Sequence, residues 1–297
     1  MPTPLVGCIP IVCTPFRDDG ALDLPGLRRQ IDWLIAEGAS GVAALAIASE
    51  GYKLTEAERD AVARETVAAA AGRVPVVLSA DGAGVEPALD RARRAAALGA
   101  DALMVLPPSF VKPDADGLLD YYGRIADAVP VPIVVQDAPQ LTGVAMAPAL
   151  WARLAAAHPG VRYLKIEGAP QGSTISAALA AAPGRLAVFC GWGGLSILDA
   201  LERGAAGSMP APNFTRLFAA IQTDWEAGDR SAAAARFAAE LPFLLWTMQS
   251  IDHSVAAAKE DLRRRGLIAS ARQRGPAARL DDIARGQLAR FLDARLG

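Results

Sequence analysis

Two residues of the stretch VRYLKIEGAP carry ionisable groups where apolar ones are expected. They are Lys165 and Glu167. A lysine inside an apolar run is costly to bury. Where such a lysine is desolvated, its neutral amine can attack a carbonyl and form a Schiff base. A carboxylate two residues on can pair with it, or move protons once the adduct exists. The alternative is a structural ion pair that plugs the end of a strand. Composition adds weight to the first reading. Only four lysines are present, Lys53, Lys112, Lys165 and Lys259, against 26 arginines. One rare lysine has thus been placed on an apolar strand.

Other chemistries find less support. The two histidines, His158 and His253, stand in no ligand spacing, so neither a metal site nor a Ser-His-Asp triad is expected. Cys8, Cys13 and Cys190 form no CxxC, which suits reduced thiols and a cytoplasmic setting. A net charge of −2 gives no case for nucleic acid. No run approaches 18 apolar residues, and no signal peptide is apparent, so no membrane partner is expected. The basic run DLRRRGL at 261–267 reads as a solvated helix end.

The elements that must position Lys165 and Glu167 follow a regular alternation. Eight apolar runs are strand candidates: 5–12, 41–47, 74–80, 101–107, 131–137, 161–167, 185–191 and 205–211. Most are continuous rather than alternating, as parallel strands covered on both faces should be. Helical stretches lie between them. One opens with an Asp cap and an early Pro at Asp23–Pro25; another opens with a Thr55–Glu58 capping box. Eight strand–helix repeats predict an α/β (β/α)8 TIM barrel over residues 1–225, with a helical C-terminal extension over 226–297. In a barrel strand alternate residues share a side. Tyr163, Lys165 and Glu167 then face one side, and Leu164 and Ile166 the other. The pair sits at the C-terminal end of strand six, where barrel active sites form.

The motif order resembles the dihydrodipicolinate synthase/N-acetylneuraminate lyase superfamily. GCIPIVCTPF is similar to its opening, ASEGYKLTEAER to its G-T-T-G-E segment, ALGADALMVLPPSF to its A-x-x-G-A-D segment, and YLKIEGA to its Schiff-base lysine motif. The resemblance implies Schiff-base chemistry at Lys165, no metal or organic cofactor, a small 2-keto acid as substrate and a homo-oligomer, commonly a tetramer. It also implies substrate contacts for Ser49, Gln136, Gly191, Trp192 and Met209. The departures matter as much. Gln136 in VQDAP stands where synthases and aldolases carry a proton-shuttling tyrosine, and an amide cannot exchange protons as a phenol does. Ser109 and Phe110 replace a tyrosine pair, Ile47 and Ala48 replace two threonines, and Leu141 replaces an arginine. Synthase activity is therefore not expected. VQDAP together with K-x-E is similar to the 2-keto-3-deoxyarabonate dehydratase subgroup, which implies Glu167 as general acid/base and dehydration of a 2-keto-3-deoxy sugar acid to a semialdehyde. A pyruvate-releasing class I aldolase and a keto-acid-binding barrel without catalysis are the alternatives.

Overall fold

Each apolar run becomes a parallel strand in the computed structural model, which describes residues 4–296. The strands are β1 (Gly7–Cys8), β2 (Val42–Ala44), β3 (Val76–Ser79), β4 (Ala102–Val105), β5 (Ile133–Asp137), β6 (Val161–Ile166), β7 (Ala187–Cys190) and β8 (Gly207–Ser208). Their order in the sheet is β1-β8-β7-β6-β5-β4-β3-β2, every pair parallel. A bridge between Ile11 and Ala43 joins the two ends, and the Val12 N–H donates to the Ala43 carbonyl at 2.7 Å. The sheet thus closes on itself, which removes its free edges.

β1 and β8 are shorter than the sequence suggests. Pro10 and Pro210 supply no N–H to the ladder, so the regular pairing stops before them. Pairing resumes in part beyond, where Ile11 N–H donates to Pro210 O at 2.8 Å.

The helices between strands are α1 (Leu24–Ala36), α2 (Glu56–Ala70), α3 (Val85–Ala97), α4 (Ala115–Asp127), α5 (Pro139–Thr142), α6 (Pro148–Ala157), α7 (Gln171–Ala181) and α8 (Ile197–Glu202). Both expected caps form. Asp23 accepts from the Gly26 N–H, and Thr55 and Glu58 satisfy each other's backbone donors. After β8 come α9 (Thr215–Glu226), α10 (Arg230–Thr247), α11 (Ile251–Arg264) and α12 (Asp282–Leu296). An aromatic cluster joins these last helices to the barrel. Phe243 of α10 stacks on Phe291 of α12 at 4.9 Å and meets Phe214, just after β8, at 5.3 Å. Arg263, Arg264 and Arg265 are exposed, as a solvated helix end should be, while Asp261 and Leu262 beside them are buried.

The alternation of β6 is the expected one. Tyr163 packs with Phe189, Met209 and Met104 inside the barrel, whereas Leu164 and Ile166 join the core beneath the helices. Among the described residues no helix is long and apolar enough to cross a membrane.

Candidate active site

Strand β6 delivers Lys165 and the residue after its end, Glu167, to one side at the mouth of the barrel. The Lys165 Nζ lies 3.0 Å from Glu167 Oε1, with the two side chains 7% and 5% exposed. Gln136 is the register partner of Lys165 on β5. Its Nε2 donates to the same Glu167 Oε1 at 2.5 Å. The ion pair and the hydrogen bond both fall on Oε1, and Oε2 has no protein donor among the described residues. The Gln136 Oε1 is buried without a partner among the described residues. The carboxylate is therefore held firmly by one oxygen and keeps the other for a ligand.

Gly191 makes this placement possible. A Cβ there would come within 2.4 Å of Glu167 Cγ. The family resemblance implies substrate contact for Gly191; the residue stands instead behind Glu167, and the adjacent Trp192 and Gly193 form the wall. Lys165, Glu167, Gln136, Trp192 and Met209 all line one cleft with about 460 Å³ of empty volume.

Ser49 is brought near but not into that cleft. Its turn after β2 is tight: the Ser49 N–H donates to Ala46 O, the Glu50 N–H to Ile47 O and the Gly51 N–H to Ala46 O. This folds Ser49 inward, where its carbonyl accepts from Thr14 Oγ1 at 2.6 Å and its buried hydroxyl has no partner. Ile47 and Ala48, whose N–H groups take no part in these turn bonds, line the cleft in its place.

Part of the cleft is built by residues of the C-terminal helices that belong to no motif. Met248, Ile251 and Ser254, from the end of α10 and the start of α11, close its outer side. A wider vestibule with about 1360 Å³ of empty volume shares Ala46, Ile47, Leu141, Trp192 and Ile251 with the cleft. Its polar lining includes Asp81, Ser109, Thr142, Ser250 and Asp252.

Two neighbours have shifted titrations. Burial, with the Glu167 charge adding to it and the Met146 backbone donor opposing it, raises the Asp137 carboxyl to about 7. Burial likewise pushes the Cys190 thiol up to about 12, which makes it a packing residue rather than a nucleophile. Tyr121 and Tyr122 are core residues of α4. Among the described residues no group of three or more His, Cys, Asp and Glu could hold a metal ion.

The chain is 34% identical to the L-2-keto-3-deoxyarabonate dehydratase of Azospirillum brasilense, over 97% of this chain and 94% of that protein. It is 31% identical to a protein of Escherichia coli named "Probable 2-dehydro-3-deoxy-D-pentonate aldolase", over 80% of this chain and 83% of that one. The crystal structure of dihydrodipicolinate synthase from Rhodopseudomonas palustris superposes with a TM-score of 0.90 at 29% identity, covering 98% of this chain and 97% of that chain. The profile of the Dihydrodipicolinate synthetase family matches residues 4–295, and the chain belongs to that family of Schiff-base lyases.

Proposed function

We propose that Lys165 forms a Schiff base with a 2-keto acid and that the chain dehydrates a 2-keto-3-deoxy sugar acid of the arabonate type to a semialdehyde. One observation carries this reading. Glu167 is fixed 3.0 Å from the Lys165 amine, on the side where Gln136 offers no exchangeable proton.

The chemistry follows from that placement. Glu167 takes a proton from Lys165, and the neutral amine adds to the keto carbon and loses water to give the iminium. The iminium acidifies the third carbon. Glu167 removes a proton there and returns it to the hydroxyl of the fourth carbon, which leaves as water. Tautomerisation and hydrolysis release the product with every carbon retained and Lys165 restored. The free N–H groups of Ile47 and Ala48 suit the substrate carboxylate. The vestibule, with the carboxylates of Asp81 and Asp252 among its hydroxyls, suits an uncharged polyol tail rather than a phosphate. Residues 1–225 supply the chemistry in this reading, and 226–297 supply the outer wall.

A second reading, retro-aldol cleavage releasing pyruvate, draws on the likeness to the pentonate aldolase. One experiment separates the readings. The protein is treated with borohydride in the presence of pyruvate, and products are assayed with 2-keto-3-deoxyarabonate. An adduct on Lys165 and a five-carbon semialdehyde are expected. Pyruvate plus an aldehyde would give the aldolase reading. An unmodified Lys165 under saturating pyruvate would overturn both, and leave a barrel that binds keto acids without the covalent step.

A further inference from the structure

The turn that walls the cleft is strained at both ends. Leu45 and Glu50 are non-glycine residues with φ of 64° and 56°. The left-handed region is costly for such residues and persists only where surrounding contacts over-determine it. Gly51 keeps the turn tight, since a Cβ there would approach Leu45 O to 2.0 Å.

What over-determines Glu50 is its side chain. Its carboxylate is fully buried and saturated. Oε1 pairs with Lys259 of α11; Oε2 accepts from Lys53 Nζ at 3.1 Å and from the Arg274 N–H at 2.9 Å. The two lysines reach onward to the same segment, Lys259 to Arg272 O at 2.8 Å and Lys53 to Arg274 O at 2.9 Å. The Phe16 ring lies under Lys259 at 4.4 Å. So one carboxylate ties together the turn, helix α11 and the segment after it. Two of the three contribute to the cleft, the turn through Ile47 and Ala48, the helix through Ile251 and Ser254.

We propose that Glu50 is a positioning residue: held by Lys259 and Lys53, it sets where the Ile47–Ala48 wall stands relative to Lys165 and so sets affinity for the keto acid. The inference rests on the reading of this cleft as the keto-acid site. A displacement of about 1 Å in a positioning wall is enough to cost an enzyme much of its affinity or rate.

Two variants test it while leaving Glu50 with one cation. Lys259→Met keeps the Lys53 pair, and Lys53→Met keeps the Lys259 pair. In the folded variants, KM for the keto acid should rise about tenfold for Lys259→Met and less for Lys53→Met, with kcat within about threefold. Borohydride trapping at saturating pyruvate should still label Lys165. A lowered Tm with unchanged KM in both variants would overturn the proposal and leave Glu50 as cement. A test without any variant uses hydrogen exchange of the wild-type protein, free and trapped with pyruvate. The amides of Ser49, Glu50 and Arg274 should slow together. Protection of Ser49 and Glu50 without Arg274 would also overturn it. Failure of wild-type trapping would instead sink the Schiff-base reading, so the two failures are distinct.

Discussion

Lys165 and Glu167 meet two residues apart at the end of one strand, whereas Lys259 and Glu50 meet across 209 residues of chain. Both pairs are buried, the second at 0% and 1% side-chain exposure. Their hydrogen bonding is opposite. Glu50 spends both oxygens on three donors, and Lys259 adds a backbone carbonyl. Glu167 spends one oxygen, and both members of its pair face an open cleft. Burial alone therefore does not mark a lysine for chemistry. Burial with unspent hydrogen-bonding capacity, next to space for a ligand, does.

The comparison predicts opposite responses to removing one member. Lys165→Met should abolish turnover, a loss of at least about 10³-fold, and the borohydride adduct with it, while the fold is retained because Glu167 keeps Gln136 and the cleft. Glu167→Gln should keep the adduct and lose about 10²- to 10⁴-fold in turnover, since only proton transfer is removed. Full activity in Glu167→Gln would take that residue out of the mechanism.

At the other pair the loss should be in stability as well as in KM. Glu50→Ala strands Lys259 as a buried cation, whose amine is already held below its ordinary value by desolvation, with Glu50 the main opposing influence. Breaking one side of a buried pair costs about 3–5 kcal/mol. Urea denaturation should show that loss for Glu50→Ala and not for Lys165→Met. Equal losses would erase the distinction drawn between the pairs.

The sequence exposes the first pair far better than the second, for a physical reason. Lys165 and Glu167 lie two residues apart, so strand alternation alone puts them on one side. The eight strands are equally readable, because parallel strands covered on both faces leave continuous apolar runs. The ends are trimmed, most at β1 and β8, which stop before Pro10 and Pro210, and at β2, which stops at Ala44 before the left-handed Leu45. Lys259 gives a weaker signal. It lies on the buried face of α11 with Val255, Ala258 and Leu262, a helical spacing in which a lysine is out of place. Its partner cannot be read, because it is set by how α11 returns over the barrel mouth. The same return puts Met248, Ile251 and Ser254 into the cleft. Ser49 is misplaced by sequence reasoning because two left-handed residues turn it inward, and neither Leu45 nor Glu50 advertises that conformation.

Asp137 sharpens the comparison from a third side, as a buried carboxyl with no ion-pair partner among the described residues. It follows Gln136 on β5, and its Oδ1 has no partner. Desolvation raises it from an ordinary 3.8 to about 7, the nearby Glu167 charge adding to the rise. A raised carboxyl means that the folded chain holds a proton the unfolded chain has released. Between these two values the unfolded state binds fewer protons, so the contribution of this group to stability falls as pH rises from 3.8 toward 7. Above 7 the folded protein carries the full cost of a desolvated charge. Asp137→Asn removes the titration and keeps the shape. Its stability relative to wild type should therefore improve by about 1–3 kcal/mol more at pH 8 than at pH 5. Urea denaturation of both proteins at the two pH values measures this, and the contributions of every other titrating group cancel in the difference. A gap that does not change with pH would mean that Asp137 finds a proton donor or solvent in solution, and that the surroundings of Glu167 are wetter than this packing allows.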